Sequence, residues 1–224
     1  MCGRFALGIP RKRLKERFEL GEIPEAPPRY NIAPGQLVEA VVQTEGGRAL
    51  KPLKWGLVPH WAKDPKIGYK MINARAETVA EKPSFKAAMR YRRCLVPAQG
   101  FYEWSHPADG KGQPWFITSR TEEVLAMAGL WEQYESRAGE IIVSVAVITC
   151  QANALVAPLH DRMPVLVEPQ DDARWLDPKM TDPARLQDIL APRNWQEVRA
   201  YRIGMEVNSV KNEGSGLVEP LEPA

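Results

Sequence analysis

Residues 141–150 read IIVSVAVITC, a run that is dense in β-branched side chains. Such a run is typical of a strand buried on both faces, so it predicts the central strand of the fold. Further strands are predicted at 36–42, 48–58, 115–118, 124–131, 165–167 and 198–203, and short helices at 11–20, 84–93, 152–156, 171–176 and 183–190. Strands and short helices that intermix without a break in composition indicate one α+β domain over residues 1–224.

Two segments depart from this pattern of helices and strands. Residues 21–36 contain four prolines and predict an irregular loop. A connection of this length inside a compact domain is usually functional or disordered. Because Tyr30–Gly35 lacks the composition of a disordered segment, we expect it to form a packed loop near the functional site. Residues 214–224 are predicted to form a C-terminal tail.

The composition is that of an ordinary globular protein, with 44% hydrophobic and 26% charged residues. The formal charge of +2 is too small to hold nucleic acid by bulk attraction, so any DNA binding must come from a local site. No apolar run is long enough to span a membrane, and no signal segment opens the chain. Cys2, Cys94 and Cys150 are too few and too dispersed for a disulfide framework or a zinc motif. The sequence therefore predicts a cytoplasmic protein without metal or cofactor.

The chain opens with MCGRFA, in which Cys2 directly follows Met1. Aminopeptidases of the cytosol remove Met1 when the second residue is small, so Cys2 is expected to become the N-terminus. Its α-amine and thiol would then lie on adjacent carbons, and such a 1,2-aminothiol converts an aldehyde into an imine and then a thiazolidine ring. The alternative is an incidental cysteine in a disordered terminus. Arg4 would disfavour the ammonium form of the amine and help to bind a phosphate.

Polar and aromatic residues in the middle of the chain suggest a binding surface. Asn73 and Arg75 are two residues apart and share a face if their segment is extended, which suits an oxygen-rich or phosphate-bearing ligand. From spacing alone, a helix-start asparagine and a surface ion pair remain the simpler explanation. Trp55 is predicted to lie in the core. Trp61 is predicted to be an exposed aromatic platform, because it lies nearer to the charged loop that follows it in the sequence.

Two candidates for proton transfer follow. Glu103 lies among aromatic residues on a predicted strand, where partial burial would raise the pKa of its carboxyl toward neutrality. An ion pair with an arginine on an exposed sheet face is the equal alternative for Glu103. His160 has an acidic neighbour that can orient it, and Arg162 can meet a phosphate, although a lone histidine is more often structural.

Taken together, these motifs resemble the abasic-site-processing proteins, also named the SOS-response-associated peptidase (SRAP) family. The resemblance rests on MCGRFA, YNIAPG, WGLVPHW, INARAET, GFYEW, LHDRMP and VKNEG, which occur in this order along nearly the whole chain. It implies a single α+β domain with a barrel-like mixed β-sheet core flanked by short helices. It also implies a DNA-damage response, part of the SOS response, in which abasic sites in single-stranded DNA are captured as a covalent protein–DNA linkage.

The resemblance implies four catalytic residues. Cys2 would be the nucleophile that forms the thiazolidine, after Met1 has been removed. Asn73 would hold the amine and the sugar oxygen, and Glu103 would be the general acid and base near the amine. His160 would assist the opening of the sugar ring and the reversal of the adduct.

The resemblance also implies the DNA contacts. Arg4, Arg75 and Arg162 would grip phosphates, and Trp61 would stack on bases or wedge between them at a bend or a single-strand junction. The expected partner is therefore single-stranded DNA, or a single/double-strand junction, that contains an abasic site. The protein is expected to be a cytoplasmic monomer that associates with the nucleoid when it acts.

Two other classes of function remain open. Class II glutamine amidotransferases also begin Met-Cys-Gly and use the processed cysteine as an N-terminal nucleophile, so an amidohydrolase or peptidase of that type is the alternative. A binding module for single strands, without enzymatic activity, would show only reversible and salt-sensitive binding. Lyase-like chemistry and self-removal of Met1 are further expected activities.

Overall fold

A computed structural model describes residues 2–105, 110 and 112–221 of the chain. Met1 and most of the loop that follows Ser105 lie outside this range, as do the last three residues of the expected tail. Within the range the strands are β1 Phe5–Leu7, β2 Arg29–Ile32, β3 Leu37–Thr44, β4 Gly47–Trp55, β5 Asn73–Arg75, β6 Arg93–Ala98, β7 Gly100–Ser105, β8 Gln113–Ser119, β9 Leu125–Glu135, β10 Ile141–Gln151, β11 Arg162–Pro164 and β12 Val198–Arg202. The α-helices are α1 Arg11–Phe18, α2 Lys86–Tyr91, α3 Asp172–Leu176 and α4 Gln187–Leu190, with short 3-10 helices at Pro65–Lys70, Pro169–Asp171, Pro183–Leu186, Met205–Asn208 and Ser215–Val218.

The core is a closed ring of five strands in the order β10-β4-β3-β6-β9, because β9 also pairs with β10. The pairing of β10 with β4 is parallel, and the other four pairings are antiparallel. The strand predicted to be central is β10, which contacts four other strands and carries an unbroken buried run from Ser144 to Cys150. The expected α+β fold with a barrel-like mixed sheet is thus confirmed.

A second sheet, in the order β12-β8-β7-β1-β2, is antiparallel throughout and carries the start of the chain. The two sheets meet where the Phe5 ring packs edge-on against Trp55, with 5.2 Å between the ring centroids. Trp55 is fully buried, as predicted, and its indole N–H donates to the Ile72 carbonyl. This contact fixes β1, and so the residues just before it, against the barrel.

Three local expectations from the sequence were wrong. Residues 21–36 are not irregular throughout, because Arg29–Ile32 pairs with β1 as strand β2. Residues 152–156 form turns instead of a helix, because the Asn153 side chain accepts the N–H groups of Leu155 and Val156. The strand expected at 165–167 lies earlier, at β11, where it pairs with the end of β10.

Gly56 marks a close approach of two backbone segments. Its φ is +125°, and a Cβ at this position would lie 2.6 Å from the carbonyl oxygen of Gly68. Gly56→Ala is therefore expected to lower the free energy of unfolding by at least about 2 kcal/mol, measured by denaturant titration. Gly216→Ala is the control, because nothing lies within 4 Å of its added Cβ. Equal unfolding midpoints for the two variants would contradict this account.

Candidate functional site

Cys2 lies three residues before the start of β1 and is completely buried. Its backbone carbonyl accepts a hydrogen bond of 2.9 Å from Nδ2 of Asn73. Asn73 begins β5, which pairs in parallel with β10 so that Asn73 is opposite Val147. The predicted nucleophile and the predicted amide are therefore brought together by the central strand.

The oxygen of the Asn73 amide is available to a bound molecule. Its Oδ1 atom is buried, and no hydrogen-bond donor reaches it from the part of the chain that the structure describes. A buried acceptor without a partner costs free energy, so such groups commonly serve a bound molecule. Asn73 can thus hold the Cys2 backbone with its nitrogen and accept a hydrogen bond from a ligand with its oxygen.

Glu103 enters the site from β7. The antiparallel register of β1 and β7 pairs Phe5 with Phe101, and the N–H of Tyr102 donates to the carbonyl of Arg4. If this register continues two residues beyond Phe5 and Phe101, Glu103 lies opposite Gly3, the neighbour of Cys2 in the chain. The Glu103 side chain is buried, and burial raises the pKa of its carboxyl to about 7, with the charge of Asp161 acting in the same direction.

The thiol of Cys2 responds to the same environment. Burial raises the pKa of the Cys2 thiol well above its usual value, and the negative charge of Glu103 adds to this effect. The thiol is thus protonated at neutral pH, and a base must remove its proton when the sulfur reacts. Glu103 is close enough to interact electrostatically with the thiol and has a pKa near neutrality, so it is suited to this transfer. We call Cys2, Asn73 and Glu103 the Cys2 cluster.

His160 lies in the loop between β10 and β11. The turn that precedes it is built on Asn153, and the N–H of His160 donates to the Val156 carbonyl. Nδ1 of the ring accepts the backbone N–H of Arg162 at 2.9 Å and also lies 2.7 Å from Oδ1 of Asp161. The same Asp161 raises the pKa of Glu103, so the histidine loop borders the Cys2 cluster.

Arg162 is held by an acidic residue that sequence reasoning missed. Its two terminal nitrogens bond both carboxylate oxygens of Glu77 at 2.8 and 2.9 Å, and one of them also donates to the Thr149 carbonyl. The pair lowers the pKa of the Glu77 carboxyl, chiefly through the hydrogen bonds from Arg162. Arg75, two residues before Glu77, is exposed at the end of β5. The predicted arginines 75 and 162 therefore flank one carboxylate.

Arg4 occupies an internal position. Its guanidinium donates to Oδ1 of Asn31 at 2.7 Å and to the Val207 carbonyl at 2.8 Å. Asn31 is fully buried and itself donates to the carbonyls of Ser209 and Asn212. The guanidinium thus ties the start of the chain to strand β2 and to the C-terminal segment.

Sequence reasoning did not assign roles to Asn31 and Glu213, although both lie in motifs that it noted. Asn31 belongs to YNIAPG, and Glu213 belongs to VKNEG, where its carboxylate accepts the backbone N–H of Tyr30 at 2.8 Å. Their occurrence in compact motifs was the available signal, but the contacts join residues about 180 positions apart. The C-terminal segment therefore covers the outer edge of β2.

Trp61 belongs to the loop after β4 and is 49% exposed, which suits the platform expected of it. Cys94 and Cys150 are buried, and all three cysteines are free thiols. Among the described residues there is no group of three or more potential metal ligands. In the same part of the chain, each helix is too short or too polar to cross a membrane.

Comparison with known proteins adds the family. The family described as SOS response associated peptidase (SRAP) matches residues 1–210. The abasic site processing protein YoqW of Bacillus subtilis is 40% identical over 222 residues, which cover 98% of this chain and 99% of that protein. The abasic site processing protein YedK of Escherichia coli is 30% identical, with 99% and 100% covered. A solved protein of Bacteroides thetaiotaomicron shares the fold with a TM-score of 0.84 at 23% identity, covering 97% of this chain and 100% of that one. The chain therefore belongs to the SOS response associated peptidase (SRAP) family.

Proposed function

We propose that this protein processes abasic sites in DNA and captures them in single strands as a thiazolidine at Cys2, once Met1 has been removed. The observation that carries the proposal is the Cys2 cluster, in which a buried thiol lies near a carboxyl of near-neutral pKa and near an amide oxygen that receives no hydrogen bond from the described residues. Relatives such as YoqW and YedK are named as abasic site processing proteins over essentially the same length.

The chemistry would proceed in two steps. An abasic sugar is mostly a closed hemiacetal, and proton transfers from His160 and Glu103 would help to open it to the aldehyde. The α-amine of Cys2 attacks the aldehyde carbon, and loss of water gives the imine. The sulfur then adds to the imine carbon, and the thiol proton passes to the nitrogen, with Glu103 as the relay. Water is the only product released, and the DNA strand stays linked to the protein.

We assign DNA binding to three residues. Arg75 is exposed two residues beyond Asn73, and Trp61 offers an exposed ring for stacking. Arg162 would meet a phosphate by exchanging its bonds to Glu77, a side chain that is half-exposed. A phosphate contact by Arg4 would compete with its bonds to Asn31 and Val207, so we assign Arg4 to holding the N-terminal segment in place. Base flipping is unnecessary at a site that has lost its base.

A blocked N-terminus tests the proposal directly. If a residue that is not removed precedes Cys2, the nitrogen of Cys2 is an amide and cannot form an imine. The blocked protein is expected to give no adduct with abasic single-stranded DNA on denaturing electrophoresis, and intact mass would show unmodified protein. The processed wild type, incubated in parallel, is the control. Equal adduct yields from both proteins would disprove capture through the α-amine.

The same assays separate the alternatives. Release of ammonia from glutamine by the processed protein would favour an amidotransferase-like hydrolase. Reversible binding to single strands, with no covalent product at any stage, would favour a binding module. Strand cleavage without a stable adduct would favour a lyase that acts through the amine alone.

A further inference from the structure

The strongest unassigned feature is the pair of contacts at Nδ1 of His160. The backbone N–H of Arg162 lies 2.9 Å away, and Oδ1 of Asp161 lies 2.7 Å away. An N–H donor can bond this nitrogen only when the nitrogen carries no proton. A carboxylate can bond it only when the nitrogen is protonated. One ring nitrogen therefore has a partner in each of its two protonation states.

From this geometry we propose that Asp161 is a positioning residue that stabilises the imidazolium form of His160, and that the Arg162 N–H stabilises the neutral form. This inference rests on the acid–base role proposed above for His160. When the ring takes up a proton, the Nδ1 lone pair that accepted the Arg162 N–H binds it, and the new N–H donates to Asp161. When the proton leaves, the first bond re-forms.

The backbone around the histidine makes this exchange possible without a large movement. The N–H of His160 is fixed to the Val156 carbonyl at 3.0 Å, and the Asp161 carbonyl accepts the N–H of Ala152 at 3.0 Å. The two Nδ1 partners belong to the next two residues of the chain, Asp161 in the loop and Arg162 at the start of β11. The ring is thus held in one orientation while its charge changes, as a group that donates and accepts protons in turn requires.

The charge of Asp161 can be removed without harm to the fold, because its side chain is 84% exposed. The ionisable groups near this loop include Glu103 from β7, Arg162 on β11, Glu77 beside Arg162 and the Cys150 thiol near the end of β10. Asp161→Asn leaves all of them in place. Because the Asp161 carboxylate is largely solvated, its loss should change the pKa of His160 by the small amount expected of an exposed ion pair.

The test is a titration of the imidazole resonances by NMR in the processed, full-length protein without DNA. Asp161→Asn is expected to lower the pKa of His160 by about half a unit. The chain has only three histidines, so His160→Gln suffices to assign the signal. At high pH, where the ring of His160 is neutral, the nitrogen chemical shifts should show that Nδ1 carries no proton.

Glu140→Gln is the matched control, because it removes the same charge from an exposed carboxylate at the opposite end of β10, about 30 Å away. An unchanged pKa of His160 in Asp161→Asn, an equal change in Glu140→Gln, or a neutral ring protonated at Nδ1 would each overturn the inference. The titration needs no DNA, so it can fail while wild-type adduct formation succeeds. Conversely, the titration can give the expected result while the wild type forms no adduct.

Discussion

Replacement of Cys2 by alanine is expected to abolish the heat-stable adduct with abasic single-stranded DNA. The α-amine remains after removal of Met1, so an imine can still form, but no sulfur is available to close the ring. The imine should be trapped only by borohydride, and it should promote strand cleavage by β-elimination. The measurement is denaturing electrophoresis with and without reduction, in which the wild type gives an adduct in both conditions.

Cys2→Ser provides the graded comparison for this prediction. Its hydroxyl can close an oxazolidine, which opens far more readily than a thiazolidine, so its stable adduct should lie between those of wild type and alanine. Affinity for intact single strands should be similar in all three proteins. A heat-stable, unreduced adduct with Cys2→Ala would show that another group is the nucleophile, and the buried thiols Cys94 and Cys150 would be tested next.

Glu103→Gln is expected to slow adduct formation by roughly a hundredfold or more, the usual cost of losing a general acid–base group. Glutamine keeps the size and hydrogen bonding of the side chain but cannot relay the thiol proton. Because burial raises the pKa of Glu103 to about 7, the wild-type rate should change with pH around that value, and the part of this change that comes from Glu103 should be absent from the variant. Single-turnover rates at saturating DNA across pH 5 to 9 measure both effects.

Arg75→Ala is the matched control for Glu103→Gln. It removes an exposed charge two residues beyond Asn73, so it should weaken DNA binding, most visibly at raised salt, and leave the rate at saturation intact. The assigned roles would be wrong if both variants lost affinity equally and both kept the wild-type rate.

The same glutamine substitution should change stability in a pH-dependent way. A carboxyl whose pKa is higher in the folded than in the unfolded chain binds more protons when folded, so stability falls as pH rises from about 4.3 through 7. Above pH 7 the buried charge costs roughly 4 kcal/mol of unfolding free energy. Relative to the wild type, Glu103→Gln should therefore gain stability between pH 4 and pH 8, as denaturant titration at the two values would show. A constant difference would indicate a carboxyl of ordinary pKa.

Local chemistry explains which parts of the fold could be predicted. Residues 141–150 read as a buried central strand because β-branched side chains leave few alternatives, and the structure confirms it. Strand β2 was missed because its proline-rich surroundings favour a loop, whereas pairing with β1 is a long-range effect. Closure of the barrel depends on the parallel register of β4 and β10, which periodicity does not specify.

In the candidate site, too, the sequence indicated the properties of single residues but not their distant partners. The aromatic neighbours of Glu103 left burial and an exposed ion pair as equal interpretations, and the structure buries this side chain. The partner of Arg162 lies 85 residues away and that of Arg4 lies 203 residues away, so no local pattern could reveal Glu77 or Val207. Side-chain types indicated what each residue can do, and only the tertiary structure indicated which partner already occupies it.

The bond between Arg4 and Val207 also bears on the order of events during synthesis. Cys2 is completely buried in the finished fold, and the segment that holds Arg4 in place emerges only when about 200 further residues have been translated. At typical rates of roughly 5–20 residues per second, this takes on the order of 10–40 seconds. During that interval the fold that buries Cys2 is incomplete. Removal of Met1, on which the proposed capture depends, is therefore expected to be easiest from the nascent chain.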